Sequence, residues 1–307
     1  MINLNSVLDI LPKSIRYEYE KLDSKDKLQE IRIRADKPLI FYLGSKEVLT
    51  NYRVKSEDLK SIMQRMSGYS IYAFEQEIRQ GYITIEGGHR IGICGSCVTE
   101  NNSIKTIKDI ASINIRICRE IIGCSNKVLK YICKDKEIQN TIIISPPKCG
   151  KTTILRDIVR NLSLGIRELN ISGKKVSVID ERSEIAACYK GMPQLEVGLR
   201  TDIFDNCPKH LGIIMAIRSM APEVIVADEI GTSEDIASII MALNCGVKVI
   251  TTIHGNSIED FINRKVFNDA IENKVFKRAI VLSNKRGIGT IEYIYDFDLK
   301  RRLEVNI

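Results

Sequence analysis

Four short apolar segments in the C-terminal half constrain the fold most: Thr141–Ser145, Lys175–Ile179, Glu223–Ala227 and Val247–Ile253. Each is brief, rich in β-branched side chains and followed by a helical period, so each reads as a strand. A strand that is apolar at successive positions has no face left for water, and the intervening helices supply its cover. The resulting βαβ rhythm predicts a mostly parallel sheet buried on both faces. Each segment also runs into polar residues: Gly150-Lys151-Thr152, Asp180-Glu181-Arg182, Asp228-Glu229 and His254 respectively. Ligands of open α/β sheets gather outside the carboxyl ends of the strands, so a binding site is expected where these four groups meet.

The N-terminal half has a different texture. Ile31 and Ile33, then Leu39, Phe41 and Leu43, alternate with polar neighbours, and helical stretches are expected over Ser56–Arg65 and Tyr72–Arg79. Ile83 and Ile85, the turn Glu86-Gly87-Gly88, and Ile91 and Ile93 make a hairpin pattern. A chain of 307 residues exceeds what one hydrophobic core usually serves. The expected division is a smaller α+β domain over residues 1–122 and an α/β domain over 123–307.

Composition excludes several classes. With 44% hydrophobic and 28% charged residues, the chain is neither disordered nor low in complexity. Its apolar runs are shorter than the roughly 20 residues a membrane helix needs, and Met1–Leu11 lacks the basic start and small-residue cleavage site of an export signal. A cytoplasmic protein is the expectation. The nine cysteines are read as reduced thiols, and Cys94-Gly-Ser-Cys97 lacks the second close pair of a usual zinc site. A net charge of +7 without a run of like charges gives no strong nucleic-acid signal.

The segment Ser145-Pro146-Pro147-Lys148-Cys149-Gly150-Lys151-Thr152-Thr153 lies between an expected strand and the helical period Ile154, Leu155, Ile158, Leu162. A tight turn at a helix start presents backbone N–H groups and a positive dipole to phosphates. In such a loop Lys151 reaches the β and γ oxygens of ATP, and Thr152 ligates Mg²⁺. Ser145 occupies the position where the phosphate-loop pattern has its first glycine.

Asp228 and Glu229 end the third strand, where P-loop proteins place an acid that orients the metal's water shell. Asp228 is the expected metal residue and Glu229 the expected base, since a base must be an unprotonated carboxylate at neutral pH. The bland alternative is a helix N-cap region, where acids are common. His254 is a candidate sensor of phosphate or attacking water, or else a histidine satisfied at a strand end. The stretch Asp180 to Glu184 is an acidic box facing the site, or a solvated charge cluster. Phosphoryl transfer also wants an arginine. Arg218 is the catalytic candidate, with Arg182, Arg200, Arg90 and Arg116 as alternatives.

With these motifs in place, the chain resembles the stage III sporulation protein AA family and, beyond it, the traffic ATPases of type II and IV secretion. The resemblance runs from Glu30 onward and is carried by Glu30-Ile-Arg-Ile-Arg34, Gly68-Tyr-Ser-Ile-Tyr72, Gly81-Tyr-Ile-Thr84, Gly87-Gly-His-Arg-Ile-Gly92, Asn114-Ile-Arg-Ile117 and Gly150-Lys-Thr152. Further carriers are Val178 to Glu184, Ile217-Arg-Ser-Met220, Asp228-Glu-Ile-Gly231 and Thr252-Ile-His-Gly255. Asp228 departs from the traffic ATPases, which commonly carry glycine before the glutamate. The implied fold is α/β, a RecA-like or AAA+-type P-loop ATPase core preceded by a smaller α+β domain. The resemblance also implies Mg²⁺-dependent ATP hydrolysis, a homo-oligomeric ring of the hexameric kind, and peripheral attachment to membrane-embedded sporulation proteins of the mother cell. Two other functions stay open: a nucleic-acid-dependent ATPase, and a nucleotide-gated scaffold with vestigial hydrolysis.

Overall fold

A computed structural model describes residues 4–66, 77, 81–100 and 103–304. The helical stretch expected over Tyr72–Arg79 and the segment Gly68–Tyr72 lie outside the described residues, apart from position 77. The chain forms two compact units, one of residues 1–119 with 187–194 and the other of 120–186 with 195–307. The short excursion 187–194 was not part of the expected division at 122 and 123.

The first unit begins with α1 (Asn5–Ile10) and α2 (Lys13–Glu20). Its sheet comprises β1 (Leu28–Arg34), β2 (Pro38–Leu43), β3 (Lys46–Arg53), β4 (Tyr82–Ile85), β5 (His89–Glu100) and β6 (Ser103–Arg116). The order is β3-β2-β1-β6-β5-β4, antiparallel at every pairing. Ile31, Ile115 and Ile91 stand opposite one another across β1, β6 and β5, as do Ile33, Ile113 and Ile93. These rows bury one face of the pleat. Helix α3 (Ser56–Met66) packs into the same core through Leu59, Ile62, Met63 and Met66, the spacing of one helical face. The expected hairpin is present, with Ile83 opposite Ile91 and Ile85 opposite His89. Strand β5 runs further than its alternation predicts, because a bulge between Cys94 and Ser96 lets pairing resume. Gly95 sits in that bulge against the backbone of Lys108 and Asp109, where a Cβ would collide. Cys94 and Cys97 are exposed on this strand.

The second unit starts with α4 (Asn126–Ile132). Its main sheet contains β7 (Thr141–Ser145), β8 (Val176–Asp180), β9 (Thr201–Asp205), β10 (Val224–Ala227), β11 (Lys248–His254), β12 (Arg278–Ser283), β13 (Thr290–Asp296) and β14 (Arg301–Leu303). They lie in the order β9-β8-β10-β11-β7-β12-β13-β14. Pairings from β9 to β12 are parallel, and β13 and β14 extend the sheet antiparallel. The four expected strands are β7, β8, β10 and β11, each within a residue of its expected bounds. Helices α5 (Lys151–Leu164), α6 (Lys209–Ser219) and α7 (Ser233–Asn244) accompany them, with shorter α8 (Ile258–Ile262) and α9 (Asn268–Glu272) before β12. Among the described residues no helix is long and apolar enough to cross a membrane.

Asp157 of α5 ties the start of this unit to the sheet layer. It accepts hydrogen bonds from the backbone N–H of Gly123 and Ser125, the Ser125 hydroxyl and Arg160. Burial opposes its charge, but these donors outweigh burial and hold its carboxyl below the usual range.

Candidate functional site

Strand β7 lies at the centre of the sheet between β11 and β12, and the chain leaves its carboxyl end into the loop 146–150. Ser145 is fully buried within the strand, pairs in register with His254, and its hydroxyl donates to the carbonyl of Pro146 at 2.9 Å. The backbone there is still extended, so serine fits without strain where the pattern has glycine. Pro146 and Pro147 carry no N–H, and the loop turns through Lys148 at φ 60° and Gly150 at φ 84°. Cys149 is buried, its thiol directed at the Pro147 carbonyl, and its own carbonyl accepts from Gly289 N–H at 3.0 Å. A side chain at Gly150 would need a left-handed backbone and would press against Ile288 at 3.0 Å. Helix α5 begins at the next residue with Lys151, Thr152 and Thr153 in its first turn.

The two acids ending β10 meet this first turn. Lys151 Nζ donates to Asp228 Oδ1 at 3.1 Å and to Glu229 Oε1 at 2.7 Å, and it is 6% exposed. Thr152 Oγ1 donates to Asp228 Oδ2 at 2.8 Å. His254, at the end of β11, sets Nε2 at 2.8 Å from Glu229 Oε1, and Arg182 places a guanidinium nitrogen 3.1 Å from Glu229 Oε2. Burial resists ionisation of Glu229. The Lys151 hydrogen bond and charge, with His254 and Arg182, overcome that resistance and hold its carboxyl below the usual value of 4.5. The helix-cap alternative for these acids is filled elsewhere, since Thr232 caps α7 in a reciprocal box with Asp235.

Thr252 of β11 is the residue that sequence reasoning missed. Its hydroxyl accepts from Glu229 N–H at 2.9 Å and donates to Asp228 Oδ1. Its carbonyl accepts from Ile230 N–H at 3.0 Å. Glu229 has φ 52°, a left-handed conformation costly for a residue with a side chain, and Thr252 brackets that turn from both sides. The available signal was a pair of hydroxyls, Thr251 and Thr252, inside an aliphatic buried strand, because buried hydroxyls need partners. Replacing Thr252 by Val removes the hydroxyl at nearly constant volume and leaves Glu229 N–H without an acceptor. Urea unfolding should show a loss of about 1–3 kcal/mol, and Thr252→Ser should recover most of it.

The acidic box divides into separate tasks. Asp180 is buried and accepts from the N–H groups of Glu184, Ile185 and Ala186 at 2.8, 2.9 and 2.9 Å. Arg156 of α5 donates to the carbonyls of Glu184, at 2.6 Å, and Ile185, clamping the same segment from the other side. Burial pushes the Asp180 carboxyl up to about 6, against those amides and assisted by Asp205 on the adjacent strand. Asp180, Glu181, Arg182, Glu184, Lys209, Asp228 and Glu229 line one small cleft. Among the described arginines, Arg182 is the one on Glu229. Arg218 is exposed in the last turn of α6, and Glu229 makes its ion pairs with Lys151, Arg182 and His254 instead. Arg200 is spent on Ser163, with its backbone N–H on the hydroxyl and its guanidinium on the carbonyl.

The Thr152 hydroxyl and the Asp228 carboxylate form an adjacent pair of hard oxygen donors, the chemistry Mg²⁺ prefers. Parallel strand order, a loop closed by Gly150 and Lys151 at the head of α5, and an acid at the end of a neighbouring strand define a RecA-like P-loop ATPase fold. Solved structures agree with it. The Yersinia pseudotuberculosis ATPase DotB superposes with a TM-score of 0.60 at 15% identity, covering 93% of this chain and 80% of that one. The pilus retraction motor PilT, solved with bound ADP, gives 0.58 at 15% identity over 90% and 77%. At such identities the likeness is one of fold. The sequence places the chain more closely. The family described as "Sporulation stage III, protein AA" matches residues 3–302, and Stage III sporulation protein AA of Bacillus subtilis (strain 168) is 41% identical over 297 residues, 96% of each chain. The chain belongs to that family.

Proposed function

We propose that this chain binds Mg·ATP on the loop 145–153 and hydrolyses it, as the ring-forming motor or energiser of a membrane-associated, secretion-like complex in sporulation. The observation that carries this reading is the convergence of Lys151, Thr152, Asp228, Glu229 and His254, contributed by α5, β10 and β11, at the carboxyl edge of one parallel sheet.

In this reading the main-chain amides of the loop and the start of α5 hold the phosphates, and the Lys151 ammonium exchanges its carboxylate partners for β and γ oxygens. Thr152 and Asp228 would hold Mg²⁺, which supplies charge neutralisation on the phosphates. Release of Lys151 leaves the Glu229 carboxylate free to accept a proton from the attacking water, while His254 at 2.8 Å keeps its orientation. Arg182, already on Glu229, is the better placed of the candidate arginines to answer charge developing on the γ-phosphoryl group. Arg218 would have to act from its exposed place on α6, toward a neighbouring subunit. The implied partners are further copies of the chain and membrane-embedded sporulation proteins, with the chain on the cytoplasmic, mother-cell face.

Native mass measurement with and without Mg·ATP tests the assembly part of this reading. A closed ring, most simply a hexamer, is expected to form or tighten with nucleotide, and ATP turnover per chain should rise with assembly. A monomer at all nucleotide and protein concentrations would overturn the ring.

A further inference from the structure

The second unit has an aromatic cleft that nucleotide chemistry does not use. Four of the seven phenylalanines, Phe261, Phe267, Phe276 and Phe297, gather beneath and around it. Their ring centroids are 5.0 Å apart for Phe261 and Phe267, 5.7 Å for Phe261 and Phe276, and 5.8 Å for Phe261 and Phe297, with Tyr295 5.3 Å from Phe297. The cleft holds about 410 Å³, within the range of ligand sites. Phe261 and Phe276 are buried in its floor, whereas Tyr295 and Phe297 are half-buried in its wall. Phe276 precedes β12 and Tyr295 lies at the end of antiparallel β13, so the cleft is at the opposite end of the sheet from the loop that leaves β7.

Its rim is basic. Lys274 and Lys300 line it, and both adopt the left-handed backbone, with φ 49° and 51°, in turns where asparagine or glycine would be less strained. The acid on the rim, Asp298, is already paired with Lys277 at 2.8 Å. Ile262 of the lining stays 42% exposed, and Leu299, between the rim residues Asp298 and Lys300 in the chain, is 56% exposed. A small molecule that merely filled 410 Å³ would leave Leu299 wet, whereas a polypeptide crossing the cleft and its rim would cover it.

We infer that this cleft docks a segment of another protein that presents a bulky apolar anchor flanked by carboxylates. The anchor fills the aromatic floor and the carboxylates meet Lys274 and Lys300. A second copy of this chain is a poorer match at its prominent exposed apolar helix face, because Leu211 and Met215 on α6 lie among Lys209, His210 and Arg218 rather than among acids. The inference stands independently of the nucleotide reading.

The test is selection of short random peptides on the full chain, with the Lys274→Glu/Lys300→Glu chain as counter-selector. Both substitutions are on the surface and outside the phosphate site, so folding is checked simply by an unchanged melting curve. Selected peptides should combine Trp, Phe or Leu with Asp or Glu and bind in the micromolar range by calorimetry. They should bind roughly tenfold more weakly to the charge-reversed chain and slow hydrogen exchange over residues 261–276 and 295–300. Peptides that bind both chains equally, protection elsewhere, or failure to select any peptide would overturn the proposal. So would two other results: self-association that the same variant abolishes, making the cleft a contact between copies, or protection of these segments by laurate with no competition from peptide.

Discussion

Glu229→Gln is expected to lower ATP turnover by about 10²–10⁴-fold while leaving ATP affinity within a few-fold of the wild type. The amide keeps the size of the carboxylate and its oxygen can still accept from Lys151 and His254, while its NH2 group gives up the pairing with Arg182. What it loses is the capacity to take a proton. Single-turnover phosphate release alongside equilibrium binding separates the two effects, and turnover at the wild-type rate would remove Glu229 from the role of base. The same variant carries a stability signature. Because the folded environment lowers the Glu229 pKa below 4.5, its ionisation stabilises the folded chain above that value, and the contribution fades as pH falls through the folded pKa. The stability difference between wild type and Glu229→Gln should therefore shrink on acidification below about pH 4.5 and hold steady on the alkaline side.

Lys151→Met should abolish nucleotide binding in practical terms, weakening it by about 10²–10³-fold. Methionine fills a similar volume, so the change removes the ammonium rather than the packing. It also leaves Asp228 and Glu229 adjacent without their shared cation, 13% and 22% exposed. Removing one partner from a largely buried pair costs up to about 3–5 kcal/mol, so a fall in melting temperature is expected with the lost affinity. Combining Lys151→Met with Glu229→Gln relieves the repulsion and should recover part of the stability but none of the binding. Unchanged affinity of a labelled nucleotide for Lys151→Met would refute the proposed phosphate site.

The parallel sheet was legible in the sequence because its strands are buried on both faces, and continuous aliphatic runs such as Ile142-Ile143-Ile144 have no other comfortable home. The edge strand β9 was not, since Thr201-Asp-Ile-Phe-Asp205 is half exposed and mixes acids with apolar residues. The antiparallel extension β13 and β14 was hidden likewise, with Tyr293, Tyr295 and Glu292 half-buried in β13. Within the site, strand-end position announced Lys151, Asp228, Glu229 and His254. Contacts that depend on side-chain direction were not readable. Thr252 looked like one more β-branched strand residue, and Asp180 looked like a site-facing acid although its oxygens are taken by three backbone amides. The choice among arginines turned on where the 181–186 loop is pinned, by Asp180 and Arg156 together, which no spacing rule encodes.

The central position of β7 has a consequence for how the chain is made. Thr141–Ser145 is wholly buried, yet its two neighbours in the sheet are Lys248–His254 and Arg278–Ser283, synthesised long afterwards. At about 5–20 residues per second, this sticky segment waits on the order of ten seconds on the ribosome for either partner. Co-produced chaperones that cover this segment while it waits should therefore raise the yield of native chain.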